Sequence, residues 1–140
     1  MNTNTTGSTY DDAGKLVLRA SLACLILFHG IAKVTGGAGF ITGLVTQAGL
    51  PASVGYLVYV GEVLAPLLIL AGLWARAGAA IIAINMIVAI LLVHTGDVFK
   101  LNQTGGWSLE LQGLFLAAAI AVTLQGAGRY SFQGTRNRWN

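Results

Sequence analysis

The amino-acid sequence predicts an all-α membrane protein: a four-helix transmembrane bundle with both termini cytoplasmic. Three observations lead there. Charged residues fill only 9% of the 140 positions and hydrophobic ones fill 55%, whereas about 25% of a soluble domain is charged. Four continuous apolar segments of about 18–21 residues each match the length that crosses a ~30 Å hydrocarbon layer. Four spans would also put Lys15, Arg19, Arg76, Arg129, Arg136 and Arg138 on one side and only Lys33 and Lys100 on the other, which assigns the basic side to the cytoplasm. The segments do not alternate in polarity, so lipid-facing strands are excluded. The net charge of +3 is spread along the chain and makes no patch for nucleic acid.

Taken in order, residues 1–14 are expected to be a flexible polar N-terminus, rich in Thr and Asn as far as Asp12. The membrane domain then covers residues 15–126. Its first helix, about 15–34, is read as a retained span. Arg19 interrupts the start that a signal peptide would need, and no polar mature region follows. Residues 35–53 form a glycine-rich loop whose apolar stretch, Phe40 to Val45, is too short to cross and lies at the interface or re-enters the bundle. The second helix, about 54–74, carries Glu62 near its middle and Pro66 four residues on. Proline lacks an N–H, so the Glu62 carbonyl loses its helical partner and a kink is expected. A very short link leads to the third helix, about 76–95, antiparallel to the second. A loop precedes the fourth helix, about 108–125, and residues 127–140 form a basic cytoplasmic tail. Trp74, Trp107 and Tyr130 stand at helix ends, where interfacial anchors belong.

The ionisable residues inside these spans are the functional candidates, because charge in hydrocarbon is costly. With the expected topology, His29, Lys33, His94 and Glu110 lie toward the outer ends of their helices, Asp97 lies in the outer loop, and Glu62 lies just outside the middle. Asn85 falls near the midplane; Arg19 and Arg76 fall near the inner interface. His29 and Lys33 are one turn apart; Tyr59, Glu62 and Pro66 share a face; Glu110, Gly113, Ala117 and Ala121 make a stripe of small residues that turns Glu110 toward its neighbours. These placements predict one pocket bounded by His29, Lys33, Tyr59, Glu62, His94 and Glu110. Glu62, Glu110 and His29 would move protons, with Lys33, Tyr59, His94 and Asn85 binding a substrate. Arg19, Pro66 and Arg76 are read as structural, Arg19 either snorkelling to the interface or pairing with another helix. No spacing such as H-x-x-x-H marks a metal site. Cys24 is alone in the chain, so no internal disulfide can form, and it is read as packing.

The run Arg19…His29-Gly30-Ile31-Ala32-Lys33 resembles the opening of DoxX proteins. Glu62 followed by Gly72-Leu73-Trp74-Ala75-Arg76, then Met86…Ala89…His94, Gly105-Gly106…Glu110 and Gly128-Arg129-Tyr130-Ser131, continue the likeness over nearly the whole chain. Two departures sit in the tail: Ala127 where Pro is common, and Phe132-Gln133 where Leu-Asp is common. The resemblance implies a small multi-pass protein of the bacterial cytoplasmic (inner) membrane with four helices. It further implies, as in some relatives, a membrane subunit of a quinone-linked oxidoreductase assembly, including sulfur oxidation.

The resulting expectation is a redox subunit whose pocket takes a quinone head group or a small reduced substrate. The chain has no Rossmann fingerprint, haem-attachment motif or cysteine cluster. Electrons would therefore come from a partner, and the purified chain is expected to show no flavin or haem spectrum. Two other functions stay open. One is a non-enzymatic anchor or scaffold for a partner protein or a second copy, for which Ala75, Ala79 and Ala83 offer a small-residue stripe. The other is a small-solute carrier, against which the absence of a repeat between the halves counts.

Overall fold

A computed structural model describes residues 5–134 and 137–140. These fold into helices α1 (Thr5–Gly36), α2 (Gly39–Gln47), α3 (Ala65–Ala71), α4 (Ala75–Val93) and α5 (Glu110–Gln125), with short 3-10 or π turns at Ala52–Leu57, Val60–Leu64 and Thr95–Asp97. Three helical stretches, Thr9–Gly36, Ala52–Ala71 and Ala75–Val93, are long and apolar enough to cross a membrane. The protein is therefore a multi-pass, all-helical membrane protein. The fourth apolar helix, α5, has 16 residues. It starts two residues later than expected because Ser108 and Leu109 belong to a turn anchored by Trp107.

The core is shared by four helices. Leu22, Ala23 and Ile26 of α1 meet Ala65 and Ile69 of α3, Ala75, Ala79, Ile82 and Met86 of α4, and Phe115, Ala119 and Val122 of α5. Each of these helices packs on two neighbours, closing the ring α1–α3–α4–α5. The alanines of α4 are thus buried inside the chain: Ala75 and Ala79 are fully covered and Ala83 packs beside them. They do not present a stripe to a partner. Cys24, expected in the packing, faces outward.

Helix α1 begins ten residues before the expected span. Residues 5–14 are helical, not loose, and Met1–Asn4 lie outside the described residues. The reason is a contact that no local pattern encodes: the buried Asp12 carboxylate accepts the Arg129 N–H at 3.1 Å. At 32 residues, α1 is about 48 Å long at 1.5 Å per residue, so it projects past any ~30 Å core.

The loop expected over 35–53 is largely helical. Helix α2 lies against the turn Ala52–Leu57, and Gly55 lets the two meet over the backbone of Thr42. The kink expected at Pro66 takes the form of a π turn over Val60–Leu64, in which the Ala65 N–H bonds back to the Val60 carbonyl. Pro66 then sits in the first turn of α3, where its missing N–H is least missed.

Gly72 ends α3 in the left-handed region (φ 68°). Leu73 N–H reaches the Leu68 carbonyl at 2.9 Å and Gly72 N–H the Ile69 carbonyl at 3.2 Å, a Schellman closure that needs a residue without a Cβ. Beyond α5 the chain folds back over this turn. Phe132 and Gln133 donate their N–H groups to the carbonyls of Ala71 and Gly72. The N–H groups of Trp74, Ala75 and Arg76 are accepted by the Gln133 side chain, the Asn140 side chain and the Trp139 carbonyl. The tail therefore caps both the end of α3 and the start of α4, groups that a helix cannot satisfy itself. Arg136, counted above among the basic residues, lies outside the described residues.

Candidate functional site

At the end of the ring opposite the tail, α1, the π turn and α4 converge on one carboxylate. Glu62 is only 6% exposed. Lys33 Nζ donates to its Oε2 at 2.6 Å, and Asn85 Nδ2 reaches its Oε1 at 3.4 Å. The Lys33 side chain is 25% exposed, so the pair is covered on the glutamate side and open on the lysine side. Tyr59 donates its hydroxyl to the Lys33 carbonyl at 3.0 Å, pinning the end of α1 to the second long helix. The Lys33–Glu62 contact, short and charge-assisted, belongs to the stronger class of hydrogen bonds.

Backbone proximity makes the arrangement possible. A Cβ on Gly30 would land on the Glu62 carbonyl oxygen, the acceptor that Pro66 leaves without an N–H. The Gly30 Cα–H therefore points at that freed oxygen, a weak but real interaction. On the other side a Cβ on Gly61 would strike the Asn85 amide carbon at 2.6 Å. Two glycines thus let α1 and α4 close on the carboxylate. Gly30→Ala should lower the thermal midpoint in detergent, because overpacking against backbone costs about 1–3 kcal/mol and outweighs the ~1 kcal/mol gain in helix propensity. Gly14→Ala, where a Cβ meets nothing within 4 Å, should raise it. Equal midpoints for the two variants would refute the close contact.

Of the six residues expected to bound one pocket, Lys33, Tyr59 and Glu62 come together, and Asn85 joins them. His29 is exposed, with its ring edge-on to Phe115 of α5 at 5.9 Å between centroids. His94 belongs to a second cluster just past α4. Its Nδ1 lies 3.6 Å from the Asp97 carboxylate and its Nε2 lies 3.2 Å from the Gln112 amide nitrogen. One neutral tautomer serves both contacts, with the proton on Nδ1. Lys100 donates to Asp97 at 3.0 Å. That hydrogen bond, then the Lys100 charge, holds the Asp97 carboxyl below the usual carboxylate range.

Glu110 is exposed and turned onto its own loop, where its Oε1 covers Gly106. The small-residue stripe predicted on the last helix is displaced. The buried face of α5 carries Phe115, Ala119 and Val122, while Gly113 makes room for the Trp107 ring. Among the described residues no three His, Cys, Asp or Glu side chains stand close enough to hold a metal ion.

Arg19 neither snorkels nor pairs with a carboxylate. It is 2% exposed and donates through Nη1 to the carbonyls of Ile69 (2.7 Å) and Leu70 (2.6 Å), and through Nη2 to that of Tyr130. The first two belong to the last turn of α3, the negative pole of the helix. Arg76 donates to the Asn140 carbonyl at 3.3 Å. Both arginines thus meet main-chain carbonyls, Arg19 those of the α3 terminus and the tail, Arg76 that of the tail.

Sequence reasoning missed Gly61 and Tyr56. The first is signalled only by its place beside an intramembrane carboxylate. The second stacks on Tyr59 at 6.3 Å and 23°, and is exposed; an i, i+3 pair of tyrosines next to the site was its visible sign.

Comparison with known proteins gives one family. The DoxX family model matches residues 14–95, a stretch that holds α1 from Gly14 onward, both halves of the Lys33–Glu62 pair, Asn85 and His94. No curated protein and no solved structure matches the chain.

Proposed function

Because this chain belongs to the DoxX family, and the carboxylate buried between its apolar helices, Glu62, is held by a half-open lysine, we propose that it is the membrane subunit of a quinone-linked redox assembly. In this reading α5 completes a four-span bundle in the bacterial inner membrane, both termini are cytoplasmic, and the Lys33–Glu62 pair lies toward the outer face. The carrying observation is the asymmetry of the pair: a Glu62 side chain at 8% exposure against a Lys33 side chain at 25%. A polar head group arriving from the bilayer would meet the ammonium first, with the carboxylate behind it.

The residues fit a flat ring bearing carbonyl oxygens. Lys33 offers an N–H donor to one oxygen, and the exposed Tyr56 with its partner Tyr59 offers an aromatic flank. A quinone would accept electrons supplied by a partner protein or a small reduced compound, a sulfur species among them. The chain's own share is to orient the head group through Lys33, exchange a proton at Glu62 through that ammonium, and keep the carboxylate in place through Asn85. His29, Glu110 and His94 have no place at this centre.

The test is Glu62→Gln, which keeps the shape and the Asn85 contact while removing the charge. Quinone-linked activity in membranes is expected to fall by about 10²-fold or more, the range for a lost proton-transfer group, with partner proteins still co-purifying. Unchanged activity would refute the reading. Loss of co-purification with no measurable chemistry would favour an anchoring role instead.

A further inference from the structure

The two ends of the molecule treat their positive charges differently. At the end that holds Glu62 and His94 both lysines are neutralised within the chain, Lys33 by Glu62 and Lys100 by Asp97. At the tail end Lys15, Arg19, Arg76, Arg129 and Arg138 have no Asp or Glu carboxylate within 4 Å among the described residues. Arg19 and Arg76 are accounted for by carbonyls. Lys15, Arg129 and Arg138 are not.

The tail also sorts its side chains by type. Ser131, Gln133 and Asn140 hydrogen-bond to the bundle or to each other. The outward face carries Phe132 at 85% and Trp139 at 59% exposure, Tyr130 with the Arg129 guanidinium 5.9 Å from its ring centre, and exposed Arg138. Beside it a depression of about 430 Å³ opens between α1 and the end of α5, lined by Tyr10, Lys15 and Gln125 among others. The Lys15 stem bridges depression and tail, lying 3.1 Å from where a Cβ on Gly128 would be. Asp11 also lines the depression. The other carboxylate at this end, Asp12, is already held by the Arg129 N–H. Aromatic rings beside unpaired cations, at the mouth of an apolar helix bundle, match the boundary where acyl chains meet phosphates.

We propose that the folded-back tail, with Lys15, is a binding surface for the phosphodiester head groups of anionic phospholipids. Arg129, Arg138 and Lys15 take the phosphates, while Phe132 and Trp139 enter the acyl boundary and hold the tail in the membrane plane. This does not depend on the redox reading, because it uses none of the residues of the Lys33–Glu62 centre.

The experiment is lipid retention by the purified full chain in mixed micelles with equal phosphatidylglycerol and phosphatidylcholine, the bound lipid being extracted and quantified. Enrichment of the anionic lipid by about tenfold is expected, since basic residues beside an anionic surface attract its head groups. It should disappear in the triple variant Lys15→Gln, Arg129→Gln, Arg138→Gln and persist in the double variant Arg129→Lys, Arg138→Lys. It should weaken several-fold in Phe132→Ser, Trp139→Ser. On the unaltered protein it should vanish between low and high salt, as screening requires, and inorganic phosphate at constant ionic strength should not compete. Equal retention of both lipids by the unaltered protein, enrichment that survives high salt, or a folded triple variant that still selects would each overturn the proposal. Competition by inorganic phosphate would assign the surface to free anions and overturn it equally.

Discussion

Arg19→Met is expected to destabilise the protein by about 3 kcal/mol or more and to release its tail. Three carbonyls lose a donor at once: Leu70 and Tyr130, and Ile69, which keeps only the Gly72 N–H. Each buried acceptor left unpaired costs about 1–3 kcal/mol. Removing the guanidinium relieves its own desolvation, and its Nε is already without a partner, but that relief is limited. The charge sits on the carbonyl end of α3, where the helix dipole has offset part of its burial. Arg19→Lys should fall between, because one ammonium cannot span carbonyls that diverge from a planar fork. The readouts are thermal unfolding in detergent and trypsin cleavage at Arg129 and Arg138. A midpoint within a degree or two of the unaltered protein, with the tail still protected, would sink this account of Arg19.

The second large effect lies at the other end and differs between the two partners of one bond. Lys33→Met strands Glu62 at 6% exposure with only the Asn85 amide beside it, the situation in which breaking a buried pair costs about 3–5 kcal/mol. Glu62→Leu should cost less, because Lys33 is already a quarter exposed and its long stem can carry the ammonium outward. The double variant should regain most of the stability lost by Lys33→Met, since a matched apolar pair often replaces a buried ion pair without penalty. It should regain none of the quinone-linked activity. Strictly additive losses in the double variant would mean that the two side chains are not coupled, and the ion pair would then carry neither stability nor chemistry.

Much of this architecture was legible in the residues. Low charge and long apolar runs gave the helical membrane class. Glu62 announced itself by its depth, and Pro66 by the carbonyl it frees. Lys33 and Tyr59 followed from helix periodicity on two segments, and Asn85, placed only by its depth near the midplane, joins them. Glu110 and His29 did not, for a physical reason: periodicity says which residues share a face, not which neighbour that face meets. On α5 the guess rested on small residues, yet Gly113 is small to admit Trp107 and Ala117 faces outward. The tail was illegible because its work is done by backbone groups. Gln133, Trp139 and Asn140 cap a helix start more than fifty residues upstream, and hydrogen bonds to main-chain N–H groups leave no hydrophobic pattern behind.

The carbonyl shell of Arg19 has a consequence for biosynthesis. Tyr130 is added to the chain 111 residues after Arg19, when the helices between them have already been synthesised. Until then the guanidinium has at most the α3 carbonyls as company, and Trp74, Ala75 and Arg76 wait with their N–H groups uncovered. Final closure of this end is therefore a late event in the life of the nascent chain, and a polypeptide stopped before residue 130 should reside in the bilayer as a species more open to proteolysis than the finished protein.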